Sequence, residues 1–263
     1  MTRNVELHSC EIGTFAPRNG TIVDGLLLHT TDCAGFPRVT SVHSPDSLSF
    51  IRRICDRAVA LPGLKREQAD TVTAMAQVDG CISDALRLCV QAAGLPRTAS
   101  WHYCVASKPL VPDGAVDVVE YVDPALQSHH CGSLGLPVNR RSIGIECCYP
   151  GSLSKRIPAQ EAEGTYESWG WPKPDLLMGP DKVKRWYTPM HHASFEALVA
   201  LCVRLVQRFP GIHWIGGHYQ FAPSKRIDPD PPVSLQALRA VVEKQTGRPM
   251  VSKPRGAPKK EQG

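Results

Sequence analysis

The chain has 263 residues, 42 % hydrophobic and 21 % charged, an ordinary globular balance well able to bury a core. No run approaches the ~18 consecutive apolar residues of a membrane span. The net charge of +5 is concentrated at the end of the chain, where Lys253, Arg255, Lys259 and Lys260 against Glu261 account for +3. That leaves about +2 on the body, too weak a bias to argue for a nucleic-acid partner.

The first seven residues lack the apolar stretch of a secretory signal. The expectation is synthesis in the cytoplasm, with release or export by another route if the protein acts on a cell wall. Ten cysteines occur without a C-x-x-C pair, which disfavours a zinc knuckle. Cys55, Cys89 and Cys202 fall on apolar helical faces, where cysteine behaves as a small hydrophobe. Most of the ten are expected to be reduced and structural.

Residues 23–29 follow a Gly-containing turn and read as a short buried strand that ends on His29, with residues 30–35 leaving as a loop. Between 47 and 93 the period becomes helical. Leu48, Ile51, Ile54 and Cys55 make one stripe, and Ile82, Ala85, Leu86 and Cys89 make another that stops at Gly94-Leu95-Pro96. Residues 65–75 add a further helix. Strands are predicted again at 101–106, 116–122 and 142–148. Residues 150–186, rich in Pro, Gly, Ser and Trp without periodicity, read as a long loop insertion.

Thr188 and Pro189 predict a helix start, as N-cap and first helical residue. Phe195, Leu198, Val199, Cys202, Leu205 and Val206 then form a core-facing stripe up to residues 209–211. A short strand at 212–215 leads into Gly216, Gly217 and His218. The last helix starts near Ser234 and carries Leu235, Leu238, Val241 and Val242. Residues 251–263 read as a basic disordered tail. Strands mixed with helices along one chain imply an α/β or α+β sheet domain.

Three side chains stand out for chemistry. His29 sits where an apolar strand leaves the core, a place that equally suits a buried histidine bonded to backbone. His218 follows two glycines, which permit close backbone approach. Asp228, ten residues on, precedes Pro229, a common setting for a turn carboxylate, and Asp230 is a rival two residues later. Together, two imidazoles and one carboxylate are the ligand set of a catalytic zinc with a fourth position left for water.

Four segments in order, Leu-Leu-Leu-His-Thr-Thr (26–31), Ser-Trp-His-Tyr-Cys-Val (100–105), Arg-Ser-Ile-Gly-Ile-Glu (141–146) and Gly-His-Tyr-Gln-Phe-Ala-Pro-Ser-Lys-Arg-Ile-Asp-Pro (217–229), resemble the zinc-dependent N-acetylmuramoyl-L-alanine amidases of the amidase-2 type, which include the peptidoglycan recognition proteins. The resemblance implies one domain over residues 1–250, built on a central mixed β-sheet flanked by helices. Two stretches, about 47–98 and about 150–186, stand outside it as insertions. It implies that His29, His218 and Asp228 hold Zn2+ and that Glu146 is the general base. The cation stabilising the developing oxyanion falls to Lys225 or Arg226, since an arginine stands where the family usually has lysine. His130 resembles a histidine that lines the substrate groove, whereas His102 reads as a core or supporting histidine. His129 and Cys131 are not expected to be ligands.

The activity so implied is hydrolysis of the amide between N-acetylmuramic acid and L-alanine in peptidoglycan. The alternatives are a non-catalytic peptidoglycan-binding module or an amidase acting on a different cell-wall bond. Non-catalytic relatives typically lack a zinc ligand, and this chain keeps all three. Peptidoglycan or a muropeptide is the expected partner, with no nucleic acid, no membrane span and a monomer as the default state. A phage endolysin, an injected toxin and a recycling enzyme all fit the sequence.

Overall fold

Leu26, Leu27 and Leu28 are fully buried at the centre of strand β3 (Gly25–Thr30). Around β3 a computed structural model describes residues 6–9, 15–30, 101–105, 116–120, 122–131, 136–147, 173, 175–187, 189–221, 227–229, 231 and 233–252. The other strands are β1 (Glu6–Ser9), β2 (Phe15–Pro17), β4 (Tyr103–Val105), β5 (Asp117–Glu120), β6 (Leu126–Ser128), β7 (Ser142–Cys147), β8 (Asp175–Met178), β9 (Lys184–Tyr187) and β10 (Trp214–Gly217). Six of them form one sheet in the order β1-β5-β4-β7-β3-β10. Only the β4–β5 pair is antiparallel within it, so the sheet is mixed, as expected.

Successive residues of a strand face opposite sides, and the sheet divides its labour accordingly. Leu26, Leu28, Ile143, Ile145, Cys147, Tyr103 and Val105 join one core with helices α2 (His192–Arg208) and α3 (Leu235–Thr246). Helix α2 contributes Leu198, Cys202, Leu205 and Val206, and α3 contributes Leu235, Leu238 and Val242, as their spacing predicts. Each such buried side chain contributes roughly 1.5–3 kcal/mol. The opposite face carries Leu27, packed with Trp214 and Cys131, and continues into the polar residues of the candidate site.

Helix α3 starts as expected: Ser234 accepts the Ala237 N–H at 3.2 Å. It stops at Gly247, which takes the left-handed conformation (φ 68°). Helix α2 begins later than the Thr188-Pro189 signal suggests. Its N-cap is His191, whose Nδ1 accepts the Ala193 N–H at 3.3 Å, so an imidazole takes the place of the expected hydroxyl.

Several further elements escaped the periodicity. The short helix α1 (Leu136–Arg141) leads straight into β7. Strands β2 and β6 pair in a two-stranded sheet, too short at three residues each to show a period. Residues 175–187, all but the last expected as part of the loop insertion at about 150–186, form an antiparallel hairpin, β8–β9. Val251, expected to open the disordered tail, instead bridges the sheet: its N–H donates to the His213 carbonyl and its carbonyl accepts from Ile215, both at 3.0 Å. The predicted helices between 47 and 98 lie outside the described residues. Among the described residues no helix is long and apolar enough to cross a membrane.

Truncating Leu238 to alanine should remove about 2–5 kcal/mol of stability, and Ser234→Ala about 1 kcal/mol. Urea unfolding of the two variants checks whether α3 is held mainly by its buried stripe or by its cap.

Candidate metal centre

Strand β3 delivers His29 and β10 delivers His218 to the same side of the sheet. The two strands are parallel and in register from Gly25–Trp214 to Leu28–Gly217, so the next residue of each lands at one level. After Gly217 the chain turns through a single 3-10 turn, His218–Gln220. Asp228 is drawn in by the Tyr219 N–H, which donates to its carbonyl at 2.9 Å. Gly217 permits this approach, because a Cβ there would sit 2.5 Å from Cδ of Pro229.

The outcome is a tight set of donors. His29 Nδ1 lies 3.0 Å from His218 Nδ1, and Asp228 Oδ2 lies 3.1 Å from His218 Nδ1 and 3.5 Å from His29 Nδ1. Both imidazoles are buried, at 5 % and 4 % exposure. Two ring nitrogens and a carboxylate oxygen aimed at one point repel one another unless a cation or proton is shared between them. A tetrahedral divalent ion with bonds near 2.0–2.1 Å holds its ligand atoms about 3.3 Å apart, close to the spacings found. His29, His218 and Asp228 therefore fit a metal ion. Burial pushes the Asp228 carboxyl upward, yet its contacts with His218 and His29 outweigh this and hold it well below the usual carboxylate range.

Glu146 is beside this set. It pairs in register with His29 across the β3–β7 ladder and with Cys104 across β7–β4, and is 3 % exposed. Parallel partners in register leave the same face of a sheet, so Glu146 and His29 are neighbours on the side away from the main core. Lys225, Arg226 and Asp230 lie outside the described residues.

Behind the donors sits a layer of buried histidines. His130, which the family resemblance places along a substrate groove, is 4 % exposed and touches His29: its Nδ1 is 3.1 Å from His29 Nε2. Its ring lies flat on β7 at Gly144, where a Cβ would come within 2.6 Å of its Cγ. His102 is fully buried next to it, with ring centroids 5.9 Å apart. The Gly144 N–H donates to His102 Nδ1 at 2.9 Å, so the proton sits on Nε2, which donates to the Leu126 carbonyl at 3.0 Å. Burial, and secondarily the Arg18 guanidinium, lower the His102 pKa to about 3 and keep the ring neutral. His102 thus sits just before β4, and not within a strand as expected, buried against His130.

Arg18 and Ser142 went unnoticed in the sequence. Arg18 is 6 % exposed and caps α1 from outside, donating to the carbonyls of Asn139 at 3.3 Å, Ser142 at 3.1 Å and Pro124 at 3.1 Å. Ser142, the first residue of the Ser-Ile-Gly-Ile-Glu strand, puts its Oγ 3.2 Å from His130 Nε2. A lone arginine and a strand serine carry no sequence signal for such contacts. Only the β2 and α1 placements bring them in.

A mixed sheet with two histidines and an aspartate converging at its edge, beside a buried glutamate, defines a candidate metal-dependent hydrolase scaffold. The family described as N-acetylmuramoyl-L-alanine amidase (amidase-2) matches residues 19–231, and the chain belongs to this family. A search of curated proteins found no match. Among solved structures, AmiD from E. coli, in complex with the substrate anhydro-N-acetylmuramic acid-L-Ala-D-gamma-Glu-L-Lys, is 18 % identical with a TM-score of 0.42, covering 89 % of this chain and 59 % of that one. AmpDH3 from Pseudomonas aeruginosa is 14 % identical with a TM-score of 0.43, covering 86 % and 60 %. A mutant endolysin from Bacillus subtilis is 12 % identical with a TM-score of 0.39, covering 91 % and 97 %. The chain thus spans about three-fifths of the length of the first two.

His102 makes acid sensitivity predictable. Unfolded, it takes a proton near pH 6.5; folded, it resists until about pH 3. Between those values the unfolded chain holds more protons, so stability falls as pH falls. The stability difference between wild type and His102→Asn should be largest near neutral pH and shrink by up to ~1.4 kcal/mol per unit below pH 6.5. Urea unfolding at a series of pH values measures it, and a pH-independent difference would contradict the assignment.

Proposed function

We propose that this chain is a zinc hydrolase that cleaves the amide between N-acetylmuramic acid and L-alanine in peptidoglycan or its muropeptide fragments. The observation that carries the reading is the convergence of His29, His218 and Asp228 within 3.0–3.5 Å of one another, with Glu146 one strand away in register. Membership of the amidase family supplies the bond. Nitrogen and carboxylate donors in this number suit zinc, with one position left open to solvent or substrate.

Bound there, zinc supplies a Lewis acid that brings the pKa of water to about 7 and polarises a carbonyl oxygen. The chain's own residues do the rest. Glu146 faces the site from β7 and is the proposed general base, taking a proton from the attacking water and delivering it to the amine that leaves. Its burial beside apolar strands favours this exchange, because a carboxylate shielded from bulk water passes its proton to the reacting atoms and not to solvent. Lys225 and Arg226, which lie between His218 and Asp228 in sequence, are the proposed cations for the developing oxyanion. An arginine would offer a planar fork where a lysine would offer a point charge.

Metal analysis of the purified protein should find one zinc per chain, and His218→Ala should lose it. Chelation should abolish release of stem peptides from purified cell wall, and zinc should restore it; unchanged release by the metal-free protein would refute the reading. Glu146→Ala should keep its zinc and lose on the order of 100- to 10,000-fold in turnover. Turnover at the wild-type rate in that variant would assign the base elsewhere.

A further inference from the structure

His29 Nε2 meets His130 Nδ1 at 3.1 Å, His130 Nε2 meets Ser142 Oγ at 3.2 Å, and Ser142 Oγ meets the Val138 carbonyl at 2.6 Å. The direction of every proton in this series follows from its far end. A carbonyl oxygen only accepts, so the Ser142 hydroxyl must donate to Val138. Its oxygen is then the acceptor for His130 Nε2–H. A neutral imidazole protonated at Nε2 has its lone pair on Nδ1, so His130 accepts from His29 Nε2–H. With its proton on Nε2, His29 presents the Nδ1 lone pair, and Nδ1 is the nitrogen that faces His218 and Asp228.

We propose that Ser142 and His130 are positioning residues for His29: a one-way hydrogen-bond chain ending on the Val138 carbonyl of α1 fixes both the orientation and the tautomer of this metal ligand. The proposal rests on the metal-site reading above and extends it to two residues outside the His29, His218 and Asp228 donor set. The far end of the chain is itself held in place. Arg18 donates to the carbonyls of Asn139 and Arg140 at the end of α1 and of Ser142 just beyond it, and the Asp24 N–H donates to that of Arg141 at 2.8 Å. These contacts satisfy the last carbonyls of α1 and leave that of Val138 to the serine. Gly144 lets the His130 ring lie against the sheet between the two partners. His130, Ser142 and His29 are all buried, so no solvent competes for these bonds. Groups that hold a ligand histidine by its second nitrogen typically set metal affinity by 10- to 100-fold.

Zinc titration of the full chain against a chromogenic chelator, with long-range proton–nitrogen correlation spectra of the metal-free protein, tests the chain. Wild type should bind one zinc and show His29 as the Nε2–H tautomer. Ser142→Ala should weaken zinc binding by roughly 10-fold and move part of His29 to the Nδ1–H tautomer. Ser142→Thr keeps the hydroxyl and should restore both. Gly144→Ala, whose methyl would meet the His130 ring, should break the middle link and weaken zinc binding with Ser142 intact. If Ser142→Ala lowers the melting temperature but leaves affinity and tautomer at wild-type values, the serine is merely structural and the proposal is overturned. If wild type takes up no zinc, the metal reading itself falls and the proposal with it. That result differs from loss in the variants alone.

Discussion

Strands β3 and β7 run parallel and in register from Gly25–Ser142 to Thr30–Cys147, so at each level their side chains leave the same face of the sheet. Leu26 and Leu28 join Ile143 and Ile145 in the main core, while His29 and Glu146 emerge together on the other side. A slip of one residue in either strand would bury one of that pair under α2 and α3 and expose its apolar neighbour. The apolar alternation that anchors the sheet therefore also sets which charged groups meet. β10 extends the same logic, because its pairing with β3 brings His218 level with His29.

Such a site requires polar groups in a nearly dry setting, where an unmatched donor or charge is expensive. Directed hydrogen bonds account for the layer beneath it. His102 is neutral, with both ring nitrogens used. His130 is held well below its ordinary pKa by burial and, next, by the charges of its histidine neighbours. Arg18 keeps its charge at neutral pH although burial lowers its pKa to about 10, and it donates to carbonyls that a helix end leaves open. Helix α1 is only six residues long, yet these contacts make it a fixed wall behind the ligands. Rigidity at one remove from the metal donors is what a preorganised site needs.

Much of this was legible in the chain. The β3 and β7 strands, the stripes of α2 and α3, and the Ser234 cap follow from periodicity and local capping chemistry. His29, His218 and Asp228 stood out because a strand-end histidine and a His-to-Asp loop are unusual together, and the structure brings all three within 3.5 Å. The illegible parts have identifiable causes. Three-residue strands such as β2 and β6 show no period. The β8–β9 hairpin hides in a segment whose Pro and Gly mask its alternation. At α2 the true cap was an imidazole, for which Thr188 was the more familiar signal.

The sequence by itself determined which side chains were available, which strands would be buried, and which histidines and aspartates were candidates to hold a metal. Those properties are local: they depend on side-chain type and on spacing along one element. Only the tertiary structure decided that His130 contacts His29, that Ser142 links His130 to the Val138 carbonyl, and that Arg18 secures the helix behind both. These contacts join residues 101 and 12 positions apart for the two histidine links and 121 or more for the arginine. Hydrogen-bond partners at such separations are chosen by how the sheet and α1 come together, a choice that no stretch of chain records on its own.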